Sequence, residues 1–495
     1  MTLRMSKPSP LSLAIAGLCA ATVLVGLTLV GMTSSLPTIV ASLGGSQADY
    51  ATIITGSLLC SALGVPVWGN LADRFDRRVL LQCALVVLVI GSLAAAAAIS
   101  TPVLIAARCA QGLAVGGIIS LTSISVGALV PIDRRSTYLG LIGAVMSTSI
   151  AVGPVICGLV TDQLGWRWSF GGIAALALAV ALALRFVLTV PRASRSAARF
   201  DSLGLLAVAL GLGSLLAAVG SLSAPTGLVP PLLPMLLSVF GLLSLTAAVV
   251  IERRAALPIV PIRMLRERTV GLASAINVMV SVAIFGVAIF VVQYLQIALG
   301  LSVFEASLYL IPQVVGTVIS SLGVASIVQR RGSYKWWIFA GVVVSTASLA
   351  GLSLVRFGIP ALSVAVILFV LGLGMGAVQQ NLVLASQGAV GPERLSAATS
   401  LVGFFGSLGG LIGASTLATV LQARLVAVAA QRSEDGLPAL MRSVPDLASL
   451  NEGMRAAVQE VYAEGLGDIF AFTVPVLVVA AVCAAFLPDR RLSSH

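Results

Sequence analysis

The 495-residue chain is poor in charge: 9% of its residues are charged, against 58% hydrophobic ones. A soluble domain carries about 25% charged residues. So few charges cannot coat the roughly three soluble domains this length would make. Histidine is also scarce. The one present is the terminal His495, which excludes histidine catalysis, imidazole proton relays and histidine metal sites. The six cysteines, Cys19, Cys60, Cys83, Cys109, Cys157 and Cys483, sit in apolar runs without a CxxC pair. They read as small hydrophobes, not as disulfides or metal ligands. No acid stands near the middle of an apolar run: Asp49, Asp162, Glu305 and Asp468 all fall near run ends. With no carboxylate pair and no internal histidine, no enzyme, cofactor or metal site is expected.

What the chain has in abundance is long apolar runs, and its mean hydropathy is +1.08. A helix needs about 20 apolar residues to span a bilayer, and lipid-facing surface needs no polar cover. Fourteen runs can be counted, from 11–33, 49–71 and 79–99 through 137–160 and 397–421 to 468–487. The chain therefore reads as an all-α polytopic membrane protein. The first run exceeds the core of a signal peptide, about 7–15 residues, and is expected to be a retained helix.

Lys and Arg set the orientation. With a cytoplasmic N-terminus, 22 of the 29 fall inside, and Arg167, Arg356, Arg424, Arg432, Arg442 and Arg455 outside; Arg108 lies within a run. The even number of runs returns the C-terminus to the cytoplasm. The net charge of +11 is then a topology signal, and no nucleic-acid partner is expected. Two segments break the rhythm. The stretch 252–269 carries five arginines and can touch anionic lipid heads. The stretch 422–467 is expected outside; Met454, Val458, Val461 and Tyr462 recur there at helical spacing, so part of it reads as a short amphipathic helix.

The loop after the second run reads Gly69-Asn70-Leu71-Ala72-Asp73-Arg74-Phe75-Asp76-Arg77-Arg78. A carboxylate at a helix end can pair with arginines and a facing helix N-terminus in one conformation and release them in another. The segment resembles the signature loop G-x-L-a-D-r-x-G-r-r of the major facilitator superfamily. The resemblance implies that Asp73 and Arg77, supported by Arg74, Arg78 and Gly69, latch the state closed to the cytoplasm. Asp76 departs from the pattern, standing where Gly is usual. A weaker echo, with Ala325 at the Gly69 position and Gln329 at the Asp73 position, follows the tenth run and suggests parallel repeats.

Three further stretches extend the resemblance. Leu104 to Gly112 is similar to the family motif l-x-x-R-x-x-q-G, with Arg108 and Gln111. A charge within a span costs about 2.5–3.5 kcal/mol on insertion scales and faces a cavity or partner, which makes Arg108 a coupling residue. Gly143, Gly153, Pro154 and Gly158 resemble the antiporter motif G-x8-G-P-x-x-G-G, with nine residues in place of eight after Gly143 and Cys157 replacing one Gly; the glycines would permit close helix contact and the proline a bend. Gly165-Trp166-Arg167-Trp168-Ser169-Phe170 is similar to a segment of fourteen-helix drug/proton antiporters. The resemblance implies two six-helix bundles plus two extra central helices, divided as 1–190, 191–269 and 270–495 with the external loop 422–467.

The family pattern fails where protons are usually handled. Thr28 stands where the first helix of that subgroup carries Asp, and Gly406 where an arginine is common. Asp49 and Glu305 remain as coupling candidates beside Arg108 and Gln111. Thr28, Met32, Asn277, Gln293, Gln296, Gln379, Gln380 and Asn381 are the candidate lining of a substrate cavity. The expected function is a monomeric secondary transporter of the cell membrane. It would export small amphipathic or lipophilic molecules by alternating access, with protons and the bilayer as its other partners. The alternatives are a metabolite or lipid exporter not driven by protons, and a non-transporting membrane sensor.

Overall fold

Backbone amides that cross lipid have no water to bind, so they must pair within the chain, and a helix does this in every residue. The computed structural model obeys that rule. It describes residues 10–33, 35–44, 47–188, 201–222, 230, 232–254, 260–301, 303–354, 361–432, 437–441 and 450–489, among which there is no strand. Fourteen helices of nineteen or more residues follow one another: α1 (Pro10–Leu29), α2 (Gln47–Leu71), α3 (Arg77–Ala96), α4 (Thr101–Leu129), α5 (Ile132–Leu164), α6 (Trp166–Val187), α7 (Ser202–Leu222), α8 (Leu233–Arg254), α9 (Arg268–Gln293), α10 (Ile311–Arg331), α11 (Lys335–Ser353), α12 (Ala361–Gly388), α13 (Leu395–Ala430) and α14 (Glu452–Ala485). Twelve are long and apolar enough to cross a membrane; α7 and α9 carry the shorter apolar stretches Leu203–Leu215 and Arg268–Ile284. Large apolar side chains lie on the outer surface, among them Phe186, Leu236, Leu243 and Leu362, as lipid contact permits and water does not.

The same packing scheme occurs twice. In the first half α2 packs on α4, α1 on α5, and α3 on both α4 and α6; in the second α10 packs on α12, α9 on α13, and α11 on both α12 and α14. Small residues allow these approaches. A Cβ on Gly112 of α4 would stand 2.2 Å from the Ser57 carbonyl of α2, and one on Gly372 of α12 would stand 2.0 Å from the Gln313 carbonyl of α10. The helices α7 and α8 pair with each other, and α7 rests on α2 and α13.

The external segment differs from the expectation of a loop over 422–467. Helix α13 continues to Ala430 and α14 begins at Glu452, so most of that stretch belongs to the two helices. Val458, Val461 and Tyr462 are buried in the main core cluster and Met454 packs against it. Arg432, just past α13, pairs with Glu460 and, at 3.5 Å, with Glu464 of α14. Hydropathy marks where apolar character ends, whereas the helix runs on as long as its inner face finds something to pack against.

Candidate functional site

The two halves meet where α2 and α4 face α13, and where α5 faces α10 and α12. At the first seam α2 ends in Gly69-Asn70-Leu71, next to the start of α13. A Cβ on Gly69 would lie 1.8 Å from Ser400 Oγ, so only glycine permits this approach. The Ser400 hydroxyl in turn bonds Ser120 of α4 at 2.9 Å. One helical turn earlier on α13, the Ser396 hydroxyl stands beside the Asp73 carboxylate. Burial raises the Asp73 carboxyl above the ordinary carboxylate value, while Ser396, Arg77 and Arg74 pull it down. Gln387 closes the seam, donating to the Ser123 carbonyl at 3.3 Å and to Thr399 Oγ1 at 3.1 Å.

The second seam repeats the first with the halves exchanged. Ser136 of α5 donates to the Ala325 carbonyl of α10 at 3.0 Å, and Thr137 bonds Gln329. A Cβ on Gly140 would meet Ala325 Cβ at 2.6 Å, and one on Gly143 would meet Gln380 Cγ of α12 at 2.6 Å. Ala325 and Gln329 thus occupy the places of Gly69 and Asp73. Both seams lie at the end of the bundle that carries the 72–76 loop.

Asp76 has a local role. Its side chain accepts from the Arg78 N–H at 2.9 Å and caps the N-terminus of α3, satisfying a donor that the helix leaves open. Arg77 is buried in the first turn of α3, and Arg78 follows it.

Arg108 is 2% exposed within the first half. Its Nη1 donates to the Thr28 carbonyl at 2.9 Å and to Gln111 Oε1 at 3.0 Å, and Gln111 Nε2 donates to Ser92 Oγ at 2.8 Å. The network ties α4 to α1 and α3. Among the described residues the charged or ionisable groups that act on Arg108 are the thiols of Cys109 and Cys157, not a carboxylate. Asp49 lies half-buried in the first turn of α2, and Glu305 is exposed in the short helix Val303–Leu308. The structure does not bring either of them to Arg108.

The antiporter-like stretch divides. Gly153 approaches Gly31 so closely that its Cβ would meet Gly31 Cα at 3.2 Å, which seats the turn after α1 against α5. Helix α5 runs through Pro154 without ending. Gly158 corrects the expectation of close contact: a Cβ there would meet nothing within 4 Å. The turn from α5 to α6 depends on Gly165, at φ 93°. The Arg167 guanidinium lies 4.2 Å from the Trp166 ring and donates to the Ala98 carbonyl at 3.2 Å.

The cavity candidates also separate. Met32 is fully buried in an apolar cluster with Leu36, Ile53 and Leu104. Asn277 of α9 donates to the Val402 carbonyl of α13 at 2.8 Å. A Cβ on Gly406 would meet that amide at 2.4 Å, so the missing side chain at Gly406 makes room for Asn277. Asn381 bonds its own helix through the Ala377 carbonyl. Gln379 and Gln380 are half-buried, and Gln380 faces the other half; Gln296 lies in the π-turn that follows α9. The side chain of Gln293 lies outside the described residues.

Sequence reading missed Ser120, Gly140, Gln387, Ser396, Thr399 and Ser400. Their signal is a pair of small residues one turn apart at the start of a helix, Ser136/Gly140 in one half and Ser396/Ser400 in the other. It becomes visible only once the repeat is aligned.

Residues 18–414 match the Major Facilitator Superfamily family. An uncharacterized MFS-type transporter of Mycobacterium tuberculosis is 31% identical over 480 residues, covering 93% of this chain and 67% of that one. The multidrug transporter protein MdtP of Bacillus subtilis is 29% identical over 427 residues, 84% of this chain and 76% of its own. Among solved structures, the proton:xylose symporter XylE aligns with a TM-score of 0.66 at 14% identity over 97% of each chain. That likeness is one of fold. The repeated helix scheme, the loop at Asp73 and these matches agree: the chain belongs to the major facilitator superfamily.

Proposed function

We propose that the chain is a secondary active exporter driven by proton antiport. It moves small amphipathic or lipophilic molecules out across the cytoplasmic membrane by alternating access, as a monomer with both termini in the cytoplasm. The observation that carries this reading is the pair of equivalent seams at one end of the bundle. They are built from glycine approaches and hydroxyl hydrogen bonds set among apolar contacts. Such contacts can part and re-form as the halves rock. The Lys/Arg bias puts that end in the cytoplasm, so the conformation is the one closed to the inside, with Asp73, Arg74, Arg77 and Arg78 as its latch.

The polar groups assigned to the substrate and coupling roles include a buried guanidinium and amides, Arg108, Asn277 and Gln380. They suit neutral, lipophilic or anionic substrates better than cations, which would want a carboxylate. The efflux direction is supported by relatives that carry multidrug names. Asp49 and Glu305 are the acids assigned to proton coupling, and Arg108, which neither of them reaches, is assigned to the same role with the neutral Gln111 beside it. The test is dye transport in proteoliposomes with an imposed pH gradient, for wild type, Glu305→Gln and Asp49→Asn. Gradient-driven accumulation in wild type, lost in one variant while downhill movement survives, is expected. Folded protein that moves no member of a broad substrate panel would sink the proposal. A second reading, a carrier not driven by protons, is favoured by the neutral partners of Arg108; equal transport with and without the gradient would select it.

A further inference from the structure

The end of α8 and the turn before α9 line a basic cavity that takes no part in either seam. It is open to one side, holds about 450 Å³, and is lined among the described residues by Arg253, Ile262, Arg263 and Arg266. Arg253 lies in the last turn of α8; the other three belong to the 3-10 turn Ile262–Arg266. In a 3-10 helix residues three apart eclipse one another, so Arg263 and Arg266 stand on one side of the turn. Arg263 Nη2 donates to the Arg253 carbonyl, which occupies an acceptor that the helix end leaves open and fixes the turn against α8. Three arginines thereby line one space. The neighbouring carboxylates are not among its walls: Glu252 is 2% exposed and accepts from the Val260 N–H at 3.1 Å, and Glu267 precedes α9.

The cavity sits where a lipid headgroup would. Ile262, Met264 and Leu265 pack against the apolar cluster that includes Val260, Val270 and Ala398, at the end of the bundle that carries Asp73. On α8 the residues Val239, Leu243, Thr246 and Val250 are exposed and recur at helical spacing, forming a stripe that leads to Arg253. The Thr246 hydroxyl is turned back onto the Leu242 carbonyl of its own helix, so the stripe is apolar in effect. An acyl chain can lie along it while the headgroup enters the cavity.

We propose that this cavity binds the phosphodiester of an anionic phospholipid, with Arg253, Arg263 and Arg266 gripping its oxygens and one acyl chain along the outer face of α8. Guanidinium groups match phosphate in geometry as well as charge. Basic pockets between helices at the cytoplasmic face are suited to such headgroups. Free phosphate would use the same arginines but gain nothing from the stripe.

Native mass spectrometry of the full chain in detergent tests this with phosphatidylglycerol, phosphatidylcholine and inorganic phosphate as separate probes. One retained phosphatidylglycerol per chain is expected, with phosphatidylcholine and phosphate retained far less. The triple substitution Arg253→Gln, Arg263→Gln, Arg266→Gln should lower phosphatidylglycerol retention at least about tenfold. Arg266→Gln alone should lower it in part and serves if the triple variant does not fold, as judged by gel filtration. Arg254→Gln, an exposed arginine outside the cavity, should change it less than about twofold. Equal retention in the cavity variants would overturn the proposal. So would an equal loss with Arg254→Gln, which would mean general charge attraction. Phosphate held as firmly as the lipid would overturn the lipid assignment.

Discussion

Gly69 and Ser400 meet at a distance that admits no side chain on the first: a Cβ at Gly69 would lie 1.8 Å from Ser400 Oγ and 2.5 Å from Ser400 Cβ. Gly69→Ala should therefore hold the two halves apart at this end and cut transport at least about tenfold, equivalent to about 1.4 kcal/mol against the closed state. Gly69→Ala with Ser400→Gly removes the clash from the other side and should restore much of the rate. Dye transport for the single and double variants measures it. A single variant that transports like wild type would show that the halves need not approach here.

Asp73 gives the latch a pH dependence with a definite sign. Burial raises its carboxyl above the ordinary value despite Ser396, Arg77 and Arg74. The closed end thus holds the proton more tightly than an open end, where the carboxyl is hydrated. Closure is fully favoured below the ordinary carboxylate value and is weakened as pH rises through the raised one. Spin labels on cysteines placed at Phe75 and Arg394, which are exposed and flank the Asp73 seam, in a background without native cysteines, should report a shorter mean distance at acid pH. In Asp73→Asn that shift should vanish. The same variant should express normally and transport more slowly.

Asp76 occupies a position where the family pattern has glycine, and its cap explains why the exchange is tolerated. Asp76→Ala should cost about 1 kcal/mol, whereas Asp76→Gly should cost only a few tenths. Thermal unfolding of the purified variants separates the two. Equal losses would mean that the cap contributes nothing.

Arg108 supplies the donors for the Thr28 carbonyl and for Gln111 Oε1. Arg108→Leu strands both acceptors in a dry interior, at about 1–3 kcal/mol for each buried group left without a partner. The expected result is a Tm lower by several degrees together with lost transport. Arg108→Lys, with one compact ammonium in place of a planar fork, should recover only part of each. An unchanged Tm in Arg108→Leu would show that the network does not hold α1 to α4.

The parts of this architecture written in local spacing were legible in the sequence. The decapeptide at 69–78, the arginine in an apolar run and the long apolar runs each depend on neighbours within a few residues. The seams were not, because Ser396, Ser400 and Gly140 look like any small residues within an apolar helix, and their partners lie far away in the chain. Met32 shows a related limit. It was a candidate for the cavity wall, yet it is buried in an apolar cluster with Leu36 and Ile53, since periodicity gives a face but not the identity of what covers it. Gly158 fits a motif spacing but opens on nothing. The basic cavity at the end of α8 was visible only as a run of arginines; its shape depends on the 3-10 turn that stacks two of them.

The two seams share one geometry but not one chemistry. Where the first has a carboxyl at Asp73, the second has the neutral amide of Gln329 bonded to Thr137. Acid or alkali can therefore alter the grip on one flank and leave the other unchanged. A bundle parted by pH alone would swing like a door, with the Gln329 flank as hinge and the Asp73 flank as the leading edge.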